Sequence, residues 1–282
     1  MTKTLKFAKM HGCGNDFIMI NGFTQSLPAA MPALAERLCN RNFAIGADGV
    51  ITLTPADGYD FQMRLYQPDG SEAEMCGNGA RCAALFARAE GICTKDELSM
   101  LTLAGLIRPA VTKSAPTCGT VRVDMGEPRL NAAAIPCKLG GDTVLEQKVE
   151  ASGRDFQFSA VSMGNPHAVI FLDTDPSAFP IRTYGPLLEK HEIFPAKANI
   201  EFAQIIDRHT IKMRVWERGV GETLACGTGA CATAVAAILT NRADSPVTVC
   251  LAGGNLTIDW PGQGSVFMTG PAEISFWGEV AL

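Results

Sequence analysis

Two cysteines stand in nearly the same company. Glu72-Ala73-Glu74-Met75-Cys76-Gly77-Asn78-Gly79-Ala80 is echoed 150 positions later by Glu222-Thr223-Leu224-Ala225-Cys226-Gly227-Thr228-Gly229-Ala230. Each cysteine abuts a glycine turn that leads into an alanine-rich run of strong helix formers. The spacing predicts each thiol at or just before a helix N-terminus, among backbone N–H groups that lack intrahelical partners. Such a place favours anions and lowers a thiol pKa. A thiol beside Gly-x-Gly is badly placed for core packing, so a reactive cysteine outweighs a buried relic of duplication.

Inverting a stereocentre needs two such groups. A proton leaves one face of a carbon and another arrives at the opposite face, which a single base cannot serve. A thiolate paired with a thiol can do both. The amides at Gly77-Asn78 and Gly227-Thr228 lie where they could hold a carboxylate beside that carbon and stabilise charge that develops on it. Other chemistries fit less well. A thiol-redox protein would be expected to carry Cys-x-x-Cys, which is absent. Zinc is disfavoured because Cys76 and Cys82 have five residues between them, and Cys226 and Cys231 four, spacings that chelate poorly beside a helix. No metal is therefore expected. A non-catalytic amino-acid-binding module that kept both cysteines is the remaining alternative.

The elements that must position these residues repeat as well. At the same shift of 150, Gly14-Asn15 falls on Gly164-Asn165, Arg64 on Arg214, Tyr66 on Trp216, Gln67 on Glu217, Glu72 on Glu222 and Ala84 on Ala234. This period far exceeds a solenoid unit and implies two halves of one fold. Strands are predicted near 5–10, 14–21, 50–53, 61–66, 99–103 and 120–124 in the first half. Helices are predicted over 31–40, introduced by Pro28 and Pro32, and after Cys76 as far as Gly91. In the second half, strands are predicted at 158–163, 168–172, 200–206, 211–216, 247–251, 255–259, 265–268 and 274–277. Helices are predicted at 184–190 and after Cys226. The expected fold is α/β (α+β), with two pseudo-symmetric domains, each a β-sheet or barrel around a central helix, and the active site in the interdomain cleft. The domains would be 1–123 plus 271–282, and 124–270.

Composition narrows the partners. The formal net charge of −5 comes without any Lys/Arg block, which argues against a nucleic-acid binder. No apolar h-region follows the first residues and no apolar run reaches the ~18 residues of a membrane span, so neither a signal peptide nor a membrane partner is expected. In a chain of this kind the ten cysteines read as reduced, mostly buried thiols, which fits a cytoplasmic location.

Several motifs in order resemble the diaminopimelate epimerase family over nearly the whole chain. They are His11-Gly12-Cys13-Gly14-Asn15-Asp16-Phe17, Ile45-Gly46-Ala47-Asp48-Gly49-Val50, Asp69-Gly70-Ser71-Glu72 running into Met75-Cys76-Gly77-Asn78-Gly79-Ala80-Arg81-Cys82, Met163-Gly164-Asn165-Pro166-His167, and Trp216-Glu217-Arg218-Gly219-Val220-Gly221-Glu222-Thr223 leading to Cys226. The resemblance implies cofactor-independent interconversion of LL- and meso-diaminopimelate, a step toward lysine and peptidoglycan precursors. Cys76 and Cys226 would be the acid/base pair. Asn15, Gln67, Gly77, Asn78, Asn165, Asn199, Glu217, Arg218, Gly227 and Thr228 would hold the substrate. Arg218 suits a distal carboxylate through its bidentate fork, and Glu217 suits an ammonium group. His167 is given no proton-transfer role. No lysine lies in either motif, so pyridoxal phosphate is not expected. Gln67 departs from the pattern, because the family usually has Asn there, at a position that reads the distal end of the substrate. A racemase of another amino acid, such as histidine, is the alternative on the same scaffold. A homodimer is what the resemblance suggests.

Overall fold

The N-terminal unit is built from a run of strands that carry apolar residues on both faces, as in Phe17-Ile18-Met19-Ile20 and Val50-Ile51-Thr52-Leu53. Strands of that kind must be covered on both sides. A computed structural model describes residues 4–282, so residues 1–3, assigned from sequence to the first half, lie outside the described residues. The chain divides into two compact units, one running to Asp124 and rejoined by Thr269–Leu282, the other Met125–Met268.

In the first unit, β1 (Thr4–Gly12) and β2 (Asn15–Asn21) form an antiparallel hairpin. Its two-residue turn, Cys13-Gly14, has φ of 55° and 81°. Positive φ at both positions is what a tight right-twisted hairpin requires. The helix α1 (Met31–Cys39) has Pro32 in its first turn and buries Met31, Leu34, Ala35 and Leu38. Strand β3 (Gly49–Thr54) runs parallel to β2, and β4 (Phe61–Tyr66) antiparallel to β3. The short β5 (Glu72–Ala73) folds back on β4 just before the helix α2 (Gly77–Ala89). Then come β6 (Met100–Thr102), parallel to β4, β7 (Gly105–Ile107), β8 (Ala110–Ser114) and β9 (Cys118–Asp124). The C-terminal strand, Phe267–Ala281, pairs antiparallel with β1 from Glu273 opposite His11 to Ala281 opposite Thr4.

Residues alternate between the two faces of this sheet. Ile18, Ile20 and Val50 join α1 in one cluster. Ile51, one residue on, meets Gly79 of α2 on the other face. The helix α2 is buried from Gly77 through Ala87 and touches β1, β2, β3, β8 and β9. A helix buried all round is a core element rather than a surface one.

The second unit repeats this plan. Strands β10 (Val144–Ala151), β11 (Arg154–Ser162) and β12 (Pro166–Phe171) are successively antiparallel. The helix α3 (Ile181–Glu189) leads to β13 (Asn199–Asp207), parallel to β12. Strand β14 (Thr210–Glu217) and the short β15 (Gly221–Thr223) precede the helix α4 (Gly227–Leu239), and β16 (Val247–Leu251) and β17 (Gly254–Asp259) follow it. The helix bounds sit 150 residues from those of α1 and α2. Arg64 and Arg214 make the same ion pair in each unit, at 2.5 Å to Glu72 and to Glu222 respectively. Each pair pins the short strand that delivers a cysteine to its helix.

The observed elements differ from the sequence expectation in three places. The strands expected at 265–268 and 274–277 are one, which starts only at residue 267 and runs Phe267–Ala281. Pro271 precedes the ladder with β1, and its carbonyl accepts from Arg81 Nε at 3.1 Å. Strands β5, β7, β8, β10 and β15 were not expected, because they are short or half-exposed and their alternation is weak. The helix expected at 184–190 starts earlier, at Ile181.

Candidate active site

Cys76 is the N-cap residue of α2, extended at φ −144° and ψ 119°, and its Sγ accepts the Gly79 N–H at 3.4 Å. That bond satisfies one of the orphan donors of the first turn. Around it, Asn15 comes from the start of β2. Its Oδ1 accepts from Asn78 Nδ2 at 3.1 Å and lies 3.7 Å from Cys76 Sγ, which donates to it. Its Nδ2 donates to Asp48 Oδ2 at 2.7 Å, which fixes the amide with its oxygen toward the thiol. Gly77 opens α2 beside them.

Arg81, absent from the sequence-derived set, holds this arrangement from below. It is fully buried and donates from Nη2 to Asn78 Oδ1 at 2.8 Å and from Nε to the Pro271 carbonyl at 3.1 Å. A Cβ on Gly12 would lie 2.9 Å from its Nη2, so the hairpin approaches this closely only because residue 12 is glycine. The available signal was one arginine inside the alanine-rich run after Cys76. Gln67 follows β4, and its Nε2 donates to Ser71 Oγ at 2.9 Å within the loop that leads to β5.

In the second unit Cys226 caps α4 in the same way, at φ −123° and ψ 111°, with the Gly229 N–H donating to Sγ at 3.3 Å. Thr228 Oγ1 lies 3.5 Å from Sγ and accepts from Asn165 Nδ2 at 3.3 Å. Asn165 Oδ1 in turn faces His167 Nε2 at 3.0 Å, and His167 Nδ1 faces Glu201 Oε1 at 2.7 Å. His167 and Glu201 are both fully buried. Asn199 Oδ1 accepts the Arg218 backbone N–H at 2.8 Å, and its Nδ2 donates to the Pro166 carbonyl at 3.0 Å. The turn that carries Glu217 and Arg218 is clamped by buried Glu189, which accepts from Trp216 Nε1 at 2.9 Å and from the Gly219 N–H at 3.1 Å. Thr223 Oγ1 donates to Glu217 Oε1. The Arg218 guanidinium donates to the Ala196 carbonyl at 3.1 Å. Gly227 is the first residue of α4.

One electrostatic expectation is corrected. The helix N-terminus was expected to lower both thiol pKa values. At Cys226, burial pushes the thiol well up, and nearby Glu217 and Glu201 push it further, against the lowering by Thr228 and the Gly229 N–H. Desolvation of a fully enclosed anion outweighs one turn of helix dipole. Glu201 and Glu189 were also missed from sequence. Glu201 is a lone acid between apolar neighbours and Glu189 stands at the head of a charged run, and which partner each faces is a long-range property.

The family model described as diaminopimelate epimerase matches residues 7–131 and 159–275. The chain belongs to the diaminopimelate epimerase family. It is 52% identical to the diaminopimelate epimerase of Desulforudis audaxviator over 98% of this chain and 99% of that one. It is 47% identical to the diaminopimelate epimerase of Moorella thermoacetica over 99% and 100% of the two chains. A solved hydroxyproline epimerase from Agrobacterium vitis has the same fold, with a TM-score of 0.71 at 17% identity over 100% of this chain and 94% of that one. The two cysteine-capped helices are thus seen here in a diaminopimelate epimerase family member. Among its described residues no helix is long and apolar enough to cross a membrane.

Proposed function

We propose that the chain is an isomerase that interconverts LL- and meso-2,6-diaminopimelate by two-base proton transfer, serving lysine and peptidoglycan-precursor synthesis. The observation that carries this reading is the pair of cysteines at equivalent helix N-caps, each with a backbone N–H on its sulfur, in a chain 52% identical to a named diaminopimelate epimerase. One cysteine takes the α-proton as thiolate, and the other returns a proton to the opposite face from its thiol. Cys226, which burial and two carboxylates favour as thiol, is the proton donor when Cys76 acts as base. The roles exchange in the reverse direction.

The remaining residues take the parts their chemistry suits. Asn15, Asn78 and Asn165 offer both donors and acceptors to a zwitterion. Gly77, Gly227 and Thr228 offer helix N-terminal donors to the reacting carboxylate. Glu217 receives an ammonium group, and Asn199 holds the backbone of Arg218, whose fork takes a distal carboxylate. Gln67 reads the distal end. Two thiols suffice for this proton traffic, so neither metal nor pyridoxal phosphate is assigned a step. The proposed assembly is a cytoplasmic homodimer that acts on a free amino acid.

The second reading, a racemase of another amino acid, rests on Gln67 where the pattern has Asn. An exchange screen in deuterated water under reductant decides between them. LL-diaminopimelate, histidine and other amino acids are compared for deuterium entry at the α-carbon. Diaminopimelate is expected to exchange and epimerise, and Cys76→Ala and Cys226→Ala are each expected to abolish epimerisation. Faster exchange of histidine would replace the substrate. Near-full activity in either cysteine variant would refute the two-base chemistry.

A further inference from the structure

The two-base reading leaves Glu201 without a task. It lies on β13 between Ile200 and Phe202 and is fully buried. Its Oε1 meets His167 Nδ1 at 2.7 Å, while its Oε2 is buried with no hydrogen-bond partner among the described residues. From this acid an unbroken chain of contacts runs to the sulfur. Glu201 meets His167, His167 Nε2 meets Asn165 Oδ1 at 3.0 Å, Asn165 Nδ2 meets Thr228 Oγ1 at 3.3 Å, and Thr228 Oγ1 meets Cys226 Sγ at 3.5 Å.

The direction of every bond in the chain follows from its far end. An amide oxygen cannot donate, so His167 Nε2 must carry a hydrogen to bond Asn165 Oδ1. The contact between Nδ1 and Glu201 must then hold a second proton, on either the nitrogen or the carboxyl. Thr228 Oγ1 accepts from Asn165, which leaves its own hydrogen free to be given to the Cys226 sulfur. With a bare Nε2 the order reverses. Asn165 turns over, Thr228 donates to it, and the hydroxyl can only accept from the thiol. A thiolate at Cys226 is stabilised only by the first polarity.

We propose that Glu201 is a positioning residue for Cys226, retaining the second proton in its contact with His167 and so keeping the Thr228 hydroxyl pointed at the sulfur whenever Cys226 acts as base. The proposal rests on the two-base reading. The surroundings suit the task. Burial raises the Glu201 carboxyl, and Glu217 adds to this while His167 opposes it, so the acid can share a proton. The titratable groups that face Cys226 are Glu217 and Glu201. A Cβ on Gly229 would lie 2.8 Å from Glu201 Oε1 and 3.3 Å from Cys226 Sγ, so acid and sulfur meet across a bare glycine.

The test separates the two half-reactions. In Cys76→Ala, Cys226 is the remaining base, and in Cys226→Ala, Cys76 is. Loss of the α-proton to deuterated water is followed at saturating substrate in each. Adding Glu201→Leu is expected to slow the Cys226 route at least tenfold more than the Cys76 route. Glu201→Gln, whose amide can either donate to or accept from Nδ1, falls in between. In a His167→Leu background, Glu201→Leu adds no further loss. A merely structural role would slow both routes alike, and that result, or no selective effect, overturns the proposal. If the leucine variant does not fold, the glutamine variant decides by the same comparison. If neither single-cysteine parent exchanges, the two-base reading fails and this proposal with it. If both parents exchange and Glu201 shows no selectivity, the proposal alone fails.

Discussion

Gly79 and Gly229 occupy the third position of α2 and α4 and donate their N–H groups to the two sulfurs. Replacing each by alanine distinguishes the two cysteine-capped helices. Alanine gains up to about 1 kcal/mol in helix propensity over glycine. At Gly229 the new Cβ lies 2.8 Å from Glu201 Oε1 and 3.3 Å from Cys226 Sγ. The oxygen cannot retreat, because it is fully buried and held by His167 at 2.7 Å. Overpacking of this kind costs about 1–3 kcal/mol, and the locked oxygen puts this site toward the upper end, so the net loss is up to about 2 kcal/mol and the fall in Tm on the order of 5 °C. The sulfur shifts from its N–H donor, and kcat falls on the order of 10²-fold. At Gly79 the Cβ meets the Ile51 Cδ1 methyl at 2.9 Å and Met63 Cε at 3.4 Å, both flexible side-chain ends. These can swing aside, so Gly79→Ala stays within about 0.5 kcal/mol of wild type and keeps kcat within roughly threefold. Thermal unfolding and initial-rate epimerisation on both variants provide the check. Equal losses in the two, or a fully active Gly229→Ala, would refute the packing argument.

Three further outcomes follow from other contacts. Asp16 is raised by burial, but hydrogen bonds from Arg41 and Lys9 outweigh this and hold its carboxyl at about 2. A depressed carboxylate stabilises the fold above its ordinary value of about 3.9 and loses that contribution as pH falls through the folded value. Asp16→Asn should therefore cost about 1–2 kcal/mol at neutral pH, discounted for partial exposure, and in urea unfolding the gap should narrow from about pH 4 and close below about pH 2. Glu189→Ala leaves Trp216 Nε1 and the Gly219 N–H without their acceptor. It is expected to cost about 2 kcal/mol and to raise KM several-fold as the turn bearing Glu217 and Arg218 loosens, measured by calorimetry and steady-state kinetics. Arg81→Met removes donors from the buried Asn78 Oδ1 and the Pro271 carbonyl. A loss of about 3 kcal/mol is expected by urea unfolding, with Arg81→Lys recovering only part, since an ammonium cannot span the same acceptors.

The sequence by itself determined what is local. The Cys-Gly-x-Gly-Ala spacing is a helix-start pattern whose geometry is complete within one turn, so both cysteines sit where it predicts, as N-caps. The duplication was legible because identities such as Arg64 and Arg214 kept one register, and both arginines make the same ion pair. The tertiary structure decided what depends on burial and on residues far apart in the chain. Two strands expected at the C-terminus are one, and Arg81 bonds the carbonyl of Pro271 from 190 positions away. Nothing local links Glu201 to His167, and only the parallel alignment of β12 and β13 brings them to 2.7 Å. The Cys226 thiol, which its helix position alone would make acidic, is pushed the other way. A helix dipole is written in a few adjacent residues, whereas desolvation belongs to everything packed around the sulfur.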